Sequence, residues 1–302
     1  SFKDRASAIV VARANQINAE VIVAASTGNA GAALAGMAAA VGAKAVIFAP
    51  RTAPPAKIAQ LIVFGAKVLL VDGTYDQAFD LSIEATHHFG WYNRNTGFNP
   101  FTAEGKKTAA FEIWEQVIRQ IPEETKPLSI FIPVGDGNII SGVHKGFKDL
   151  LSLGWLQQMP RIIGVQSKGS AAIANTFHQG GEDIQAVQAD TLADSISVDL
   201  PRDGVRALRA ARETGGTYIT VPDSDILTAI AALGQVGIFA EPAAATAYAG
   251  LTMAADQSIV SADDPVLVLS TGSGLKDVKA AMQAVSAAPI IEPTLDAVKE
   301  VL

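Results

Sequence analysis

Val21-Ile22-Val23-Ala24-Ala25, running straight into Ser26-Thr27-Gly28-Asn29-Ala30-Gly31, is the stretch on which the fold turns. Five apolar residues in an unbroken run read as a strand covered on both faces, because a strand with one wet face alternates polar and apolar side chains. The polar turn and the small-residue run Gly31–Val41 beyond it complete a strand–turn–helix unit. The same unit recurs outward from it. Candidate strands are Ala43–Phe48, Lys67–Val71, Leu128–Pro133, Arg161–Gln166, Thr217–Val221 and Val266–Ser270. Candidate helices are Pro55–Phe64, Tyr75–Phe89, Lys107–Gln120, Ile140–Leu151 and Glu241–Ala255. Buried strands alternating with helices of this length make an α/β protein with parallel sheet.

The Asn, Gly, Pro and Thr-rich stretch Asn93–Gly105 has weak periodicity and reads as a crossover between two domains, 1–104 and 105–302. Three candidate strands precede it and four follow. Gln179–Asp203 reads as a long irregular excursion of the kind that tends to serve function, and Ala287–Leu302 as an appended helix.

Composition narrows the function. Apolar residues make up 49% of the 302 and charged ones 18%, enough for a sizeable core. A net charge of −7 without any Lys/Arg block argues against nucleic acid or an anionic membrane as partner. The absence of cysteine rules out disulfides and thiolate metal sites. No apolar run reaches the roughly 18 residues of a membrane span. A cytoplasmic enzyme acting on a small molecule is the expectation.

Three motifs sit where a buried strand gives way to a turn, the edge at which open α/β sheets bind ligands. Ser26–Gly31 follows the first strand. Pro133-Val134-Gly135-Asp136-Gly137-Asn138-Ile139 leads into a helix and presents backbone N–H groups at its positive end, a ready phosphate site. Asp136 in it should point away from a phosphate. Ser270-Thr271-Gly272-Ser273-Gly274-Leu275-Lys276-Asp277 follows the last strand. Each is also compatible with an ordinary capped turn. A fourth, Phe239-Ala240-Glu241-Pro242, is explained by good helix-start chemistry alone, with Pro242 at the first helical position.

Taken in order with Ser1-Phe2-Lys3-Asp4-Arg5 at the start, these motifs resemble threonine synthase and its relatives among pyridoxal-phosphate (PLP) enzymes of the tryptophan synthase β type. The resemblance spans essentially the whole chain. It implies two doubly wound domains with largely parallel sheets, PLP in the cleft between them, and an expected homodimer. It assigns Lys3 as the catalytic lysine that carries PLP covalently and Asn29 as partner of the ring hydroxyl. Gly135, Asp136, Gly137, Asn138 and Ile139 become the cofactor-phosphate loop, and Thr271 faces the pyridine nitrogen. Ser26, Thr27 and Gly28 hold the substrate carboxylate. A hydroxyl at Thr271 does not keep a proton on the ring nitrogen, which suits elimination and replacement chemistry.

The implied reaction is the conversion of O-phosphohomoserine and water to threonine and phosphate. One departure bears on it. Thr102 stands where many threonine synthases carry an arginine assigned to the substrate phosphate, and a hydroxyl does not replace a bidentate guanidinium. Arg94, Lys106 or Lys107 must then compensate, with Thr102 and Lys106 read as substrate contacts. The alternatives are a dehydratase, an ammonia-lyase or a β-replacement enzyme of the same kind. Because relatives carry several dozen residues before the lysine motif, an inactive fragment acting as a binding module is a further one.

Overall fold

The computed structural model describes residues 1–122 and 125–301. Its first half runs α1 (Lys3–Gln16), β1 (Val21–Ala25), α2 (Asn29–Val41), β2 (Lys44–Pro50), α3 (Pro55–Val63), β3 (Lys67–Val71), α4 (Tyr75–Phe89) and β4 (Tyr92–Asn93). Two helices, α5 (Phe101–Lys106) and α6 (Thr108–Gln116), lead to the second half. There β5 (Ser129–Pro133), α7 (Asn138–Ser152), β6 (Arg161–Ser167), α8 (Ala172–Gln179), α9 (Gly204–Glu213), β7 (Tyr218–Val221), α10 (Asp223–Gln235), α11 (Pro242–Asp256), β8 (Val266–Val268), α12 (Val278–Gln283) and α13 (Leu295–Val301) follow.

The strands form two four-stranded sheets of order β3-β2-β1-β4 and β7-β6-β5-β8, parallel throughout. Both faces of each are covered. In β1, Val21, Val23 and Ala25 pack with Val46, Phe48 and Ala78 on one side, while Ile22 and Ala24 pack with Val10, Leu34 and Ile47 on the other. In β5, Ile130 and Ile132 face Val143, Phe147 and Leu208, and Phe131 faces Val165, Ile219 and Ala244. Two-sided burial is why these strands read as unbroken apolar runs.

In each sheet the chain leaves the central strand toward one side and returns on the other, so a switch point lies between β1 and β4 and another between β5 and β8. The loops after β1 and β5 therefore open into crevices at the strands' carboxyl ends, where such sheets hold ligands.

Several expectations are corrected. The sheets divide four and four, because Tyr92–Asn93 pairs with β1. This strand has no apolar run to announce it. Past Asn93 the pairing passes to a single backbone bond, Arg94 N–H to the Val23 carbonyl (2.8 Å), and to the Asn95 side chain, whose Oδ1 accepts from Ala25 N–H at 2.8 Å. Asn-rich sequence that reads as a loop thus finishes the ladder through side chains. Helix α5 occupies the end of the Asn93–Gly105 stretch, which reads from sequence as weakly periodic. The helix expected over 107–120 ends at Gln116, and a 3₁₀ turn covers Ile118–Gln120. The appended helix is confined to Leu295–Val301, and Leu302 lies outside the described residues. The excursion after α8 is irregular as expected, apart from a 3₁₀ turn at Asp194–Ile196.

Candidate active site

Two cavities sharing Ser195 lie between the sheets. One is lined by Lys3, Thr96, Lys106, the segment Pro133–Ile140, Ser195 and Ile196. The other is lined by Thr27, Gly28, Asn29, Lys57, Gln60, Asp194, Ser195, Glu241–Ala243, Lys276 and Asp277. Of the residues read from sequence, Lys3, Lys106, Gly135, Asp136, Gly137, Asn138 and Ile139 meet in the first, and Thr27, Gly28 and Asn29 in the second.

The second-half loop is built for an anion. Gly137 takes φ +87°, the left-handed conformation that glycine adopts without strain, and turns the chain from β5 into α7. A Cβ at Gly135 would come within 2.8 Å of the Ile196 backbone, so the loop lies flat against the excursion. Among the described residues, the N–H groups of Gly135 through Ile140 donate to no acceptor, and Ser141 N–H is the first to bond, to the Gly137 carbonyl. Six free donors at the positive end of a 15-residue helix form an anion seat. The Asp136 carboxylate turns to the Arg202 N–H at 3.2 Å. Burial raises its pKa.

Basic side chains surround this loop, Lys106 and Arg94 buried and Lys3 partly so. Lys3 opens α1, and its pKa is lowered, first by burial and then by Arg94, against opposing pulls from Glu241 and Asp136. Lys106 is 1% exposed, and its ammonium donates to Asn138 Oδ1, whose amide in turn donates to Asp203. Burial, with Lys3 and Arg94 nearby, holds Lys106 well below the ordinary lysine range. Lys106 reaches the loop because α5 wedges tightly between α1 and α7. A Cβ on Gly105 would stand 2.2 Å from the Arg5 carbonyl oxygen, and one on Gly142 2.8 Å from Lys106 Cβ. Its neighbour Lys107 points outward and pairs with Glu104 at 2.7 Å and Asp149 at 2.9 Å. Arg94 is also buried: Nε donates to Ser7 Oγ at 3.3 Å, one nitrogen has no partner, and desolvation pushes its pKa down to about 10.

The first-half loop has different surroundings. A Cβ at Gly31 would come within 1.9 Å of the Ser26 carbonyl oxygen, so α2 starts against its own loop and only glycine fits. Asn29, at the first residue of α2, donates from Nδ2 to both oxygens of Glu241 at 2.9 Å, and its Oδ1 has no partner. Lys57 pairs with Asp194 at 2.6 Å and Lys276 donates to Gln60 at 2.6 Å, so both span the mouth between the two halves.

Three expected residues line neither cavity. Ser26 precedes the cavity-lining part of its loop. Thr271 is buried beside the lysine motif, its carbonyl accepting from Phe2 N–H at 2.8 Å. Thr102 is fully buried, and its hydroxyl donates to the Asn99 carbonyl at 2.8 Å, tying the first turn of α5 to the residues before it. Sequence reasoning overlooked Glu241, Thr96 and Ser195. Glu241 stood in a motif explained by Pro242 alone, and Ser195 lay in the excursion whose length was its one signal.

Known proteins share this pattern. The family described as pyridoxal-phosphate dependent enzyme matches residues 1–272. Threonine synthase from Methanocaldococcus jannaschii is 36% identical over 306 residues, covering 100% of this chain and 74% of that protein. Threonine synthase from Methanosarcina acetivorans is 33% identical, again over 100% and 74%. Among solved structures, the processed form of threonine deaminase isoform 2 from Solanum lycopersicum superposes with a TM-score of 0.77 at 23% identity, over 94% of this chain and 75% of that one. A fungal L-serine ammonia-lyase from Rhizomucor miehei gives a TM-score of 0.78 at 18% identity, over 94% and 88%. The two structures share the fold. Among the described residues no helix is long and apolar enough to cross a membrane.

Proposed function

The chain belongs to the family of pyridoxal-phosphate dependent enzymes, and on that premise we propose that it is a lyase converting O-phosphohomoserine and water to threonine and phosphate. The observation that carries the substrate is Lys106. It follows Thr102 by four residues on α5, on the same helix face, and it brings a buried amine with no carboxylate within ion-pair distance among the described residues to the head of α7. A buried amine without a carboxylate partner has capacity for an anion beyond the cofactor phosphate that the six loop N–H donors would take. Lys107, already held by two carboxylates, drops out as the compensating cation. The relatives named threonine synthase support the same reading.

The residues present fit PLP. Six free N–H donors suit its phosphate, the unpartnered Asn29 Oδ1 leaves polar capacity beside the cleft, and Lys3 lines the cavity with its pKa lowered by desolvation. Lys3 would carry the cofactor, the Gly135–Ile139 loop its phosphate, Asn29 its ring hydroxyl and Thr271 its pyridine nitrogen. When bound, PLP supplies an aldehyde that exchanges amines and an electron sink that acidifies the substrate Cα.

The chain's own groups do the rest. The free N–H groups of the Thr27–Asn29 turn at the head of α2 bind the substrate carboxylate. Lys3, with its pKa lowered toward working pH, takes the Cα proton as a neutral amine and then moves a proton at Cβ. Lys106 and Arg94 hold the phosphate leaving from Cγ, as water adds at Cβ. The uncharged hydroxyl of Thr271 leaves the ring nitrogen without a fixed proton. The test is product analysis with purified enzyme and PLP. Inorganic phosphate and threonine from O-phosphohomoserine are expected. Ammonia from threonine or serine, with no phosphate from O-phosphohomoserine, would overturn the substrate while leaving the family standing.

A further inference from the structure

Glu241 has no part in the steps above, yet its position is unusually costly. Its side chain is 3% exposed, and its only hydrogen-bond donor among the described residues is the Asn29 amide, with Nδ2 2.9 Å from each carboxylate oxygen. The chain is shaped to make room for it. A Cβ on Gly272 would stand 2.1 Å from Oε1, so no other residue fits at 272 with Glu241 in place. The Glu241 N–H donates to the Gly272 carbonyl at 3.0 Å, and an isolated antiparallel bridge joins Ala240 to Ser273. Glu241 is thereby fastened to the segment carrying Thr271 while its carboxylate reaches across to α2 of the other half.

A carboxylate only accepts hydrogen bonds, whereas an amide has one donating and one accepting edge. Facing Glu241, Asn29 must present nitrogen, and its Oδ1, which has no partner, is turned elsewhere. We propose that Glu241 is a positioning residue that locks the orientation of the Asn29 amide, so that this side chain meets the bound cofactor in one fixed presentation. Burying an unpaired carboxylate is expensive, and an amide free to flip would offer the ligand either edge. Gly272 and Asn29 are the two features that make sense of the expense. The inference rests on the cofactor family and not on O-phosphohomoserine as substrate.

The test is a double-mutant cycle read on PLP binding to the full chain, followed by the visible absorbance of the bound cofactor, with apo thermal unfolding as the control. Glu241→Gln keeps the shape but lets the facing group donate as well as accept. It is expected to weaken PLP binding roughly tenfold and to move the absorbance band, with the apo midpoint little changed. In an Asn29→Ala background the same substitution should change binding less than about twofold. Asn29→Asp sets two carboxylates against each other and should lose more than Glu241→Gln does, and Asn29→Asp with Glu241→Gln should regain most of that loss. Should Glu241→Gln fail to fold, Glu241→Met goes through the same cycle. Equal losses with and without the Asn29 amide, no rescue of Asn29→Asp, or a loss explained by the apo midpoint would each overturn the proposal. Failure of phosphate release from O-phosphohomoserine, with this coupling intact, would overturn the substrate alone.

Discussion

The turns after β1 and β5 are the same device twice. Each follows a strand buried on both faces, sits at a switch point of a four-stranded parallel sheet, needs glycine for its backbone path, and frees N–H groups at a helix start. Their surroundings differ. The turn after β5 is ringed by Lys3 and Lys106, with Arg94 near enough to lower the pKa of both. The turn after β1 faces the Glu241 carboxylate and two lysines already paired across the cleft. The same strand–turn–helix arrangement, entered through an extended Gly28 in one case and a left-handed Gly137 in the other, thus becomes a mixed polar wall in one place and an anion seat in the other. Residues far away in sequence make the difference.

The sharpest break of that comparison is Lys3→Ala. Losing the amine that moves protons should lower turnover by roughly 10²–10⁴, with the apo protein still folded by circular dichroism. Borohydride reduction of the holoenzyme should label Lys3 and no other lysine. Label on Lys106 would transfer the covalent role to the second lysine of the same seat.

Lys106→Met separates binding from stability. The KM for O-phosphohomoserine should rise about 10–100-fold, as expected for a lost charge-assisted contact, while Lys107→Gln leaves it within about twofold. The apo variant should be more stable than the parent at neutral pH, because the cost of burying an amine that is protonated in the unfolded chain has been removed. The sign follows from the lowered pKa: between the folded value and the ordinary 10.5, the unfolded chain binds more protons than the folded one. Parent stability therefore rises with pH through that window, and the variant's advantage shrinks. Urea titrations at pH 7 and pH 10 decide it.

Gly137→Ala tests whether the anion seat depends on its turn. The positive φ and a Cβ 2.6 Å from Ala207 should together cost about 1–3 kcal/mol in urea unfolding and weaken PLP binding. Gly42→Ala has a similar φ of +70° but open space, so it should cost less and leave PLP binding unchanged. Equal losses would mean that crowding at the seat does not matter.

The smallest effect belongs to the turn after β1. Lys57 and Asp194 are an exposed pair, so Lys57→Gln should change stability by less than about 1 kcal/mol. A larger change would make the latch across the mouth a structural element of that turn.

The sequence by itself determined every strand but β4, the parallel α/β class and the strand-end turns, because burial on both faces and glycine at tight turns are local requirements that leave local marks. It also placed Lys3, Asn29 and the Gly135–Ile139 loop in one ordered pattern. Tertiary structure alone decided the rest. Tyr92–Asn93 became a strand because β1 had an edge to fill and Asn95 could supply the missing acceptor. Thr102 turned inward to bond the Asn99 carbonyl, and Lys106, four residues on, reached the cavity because Gly105 and Gly142 let α5 approach two other helices closely. Glu241 looked like a helix start and met Asn29, 212 positions away, in the fold. Which charge faces which turn depends on contacts between distant segments, and no window of sequence contains both partners.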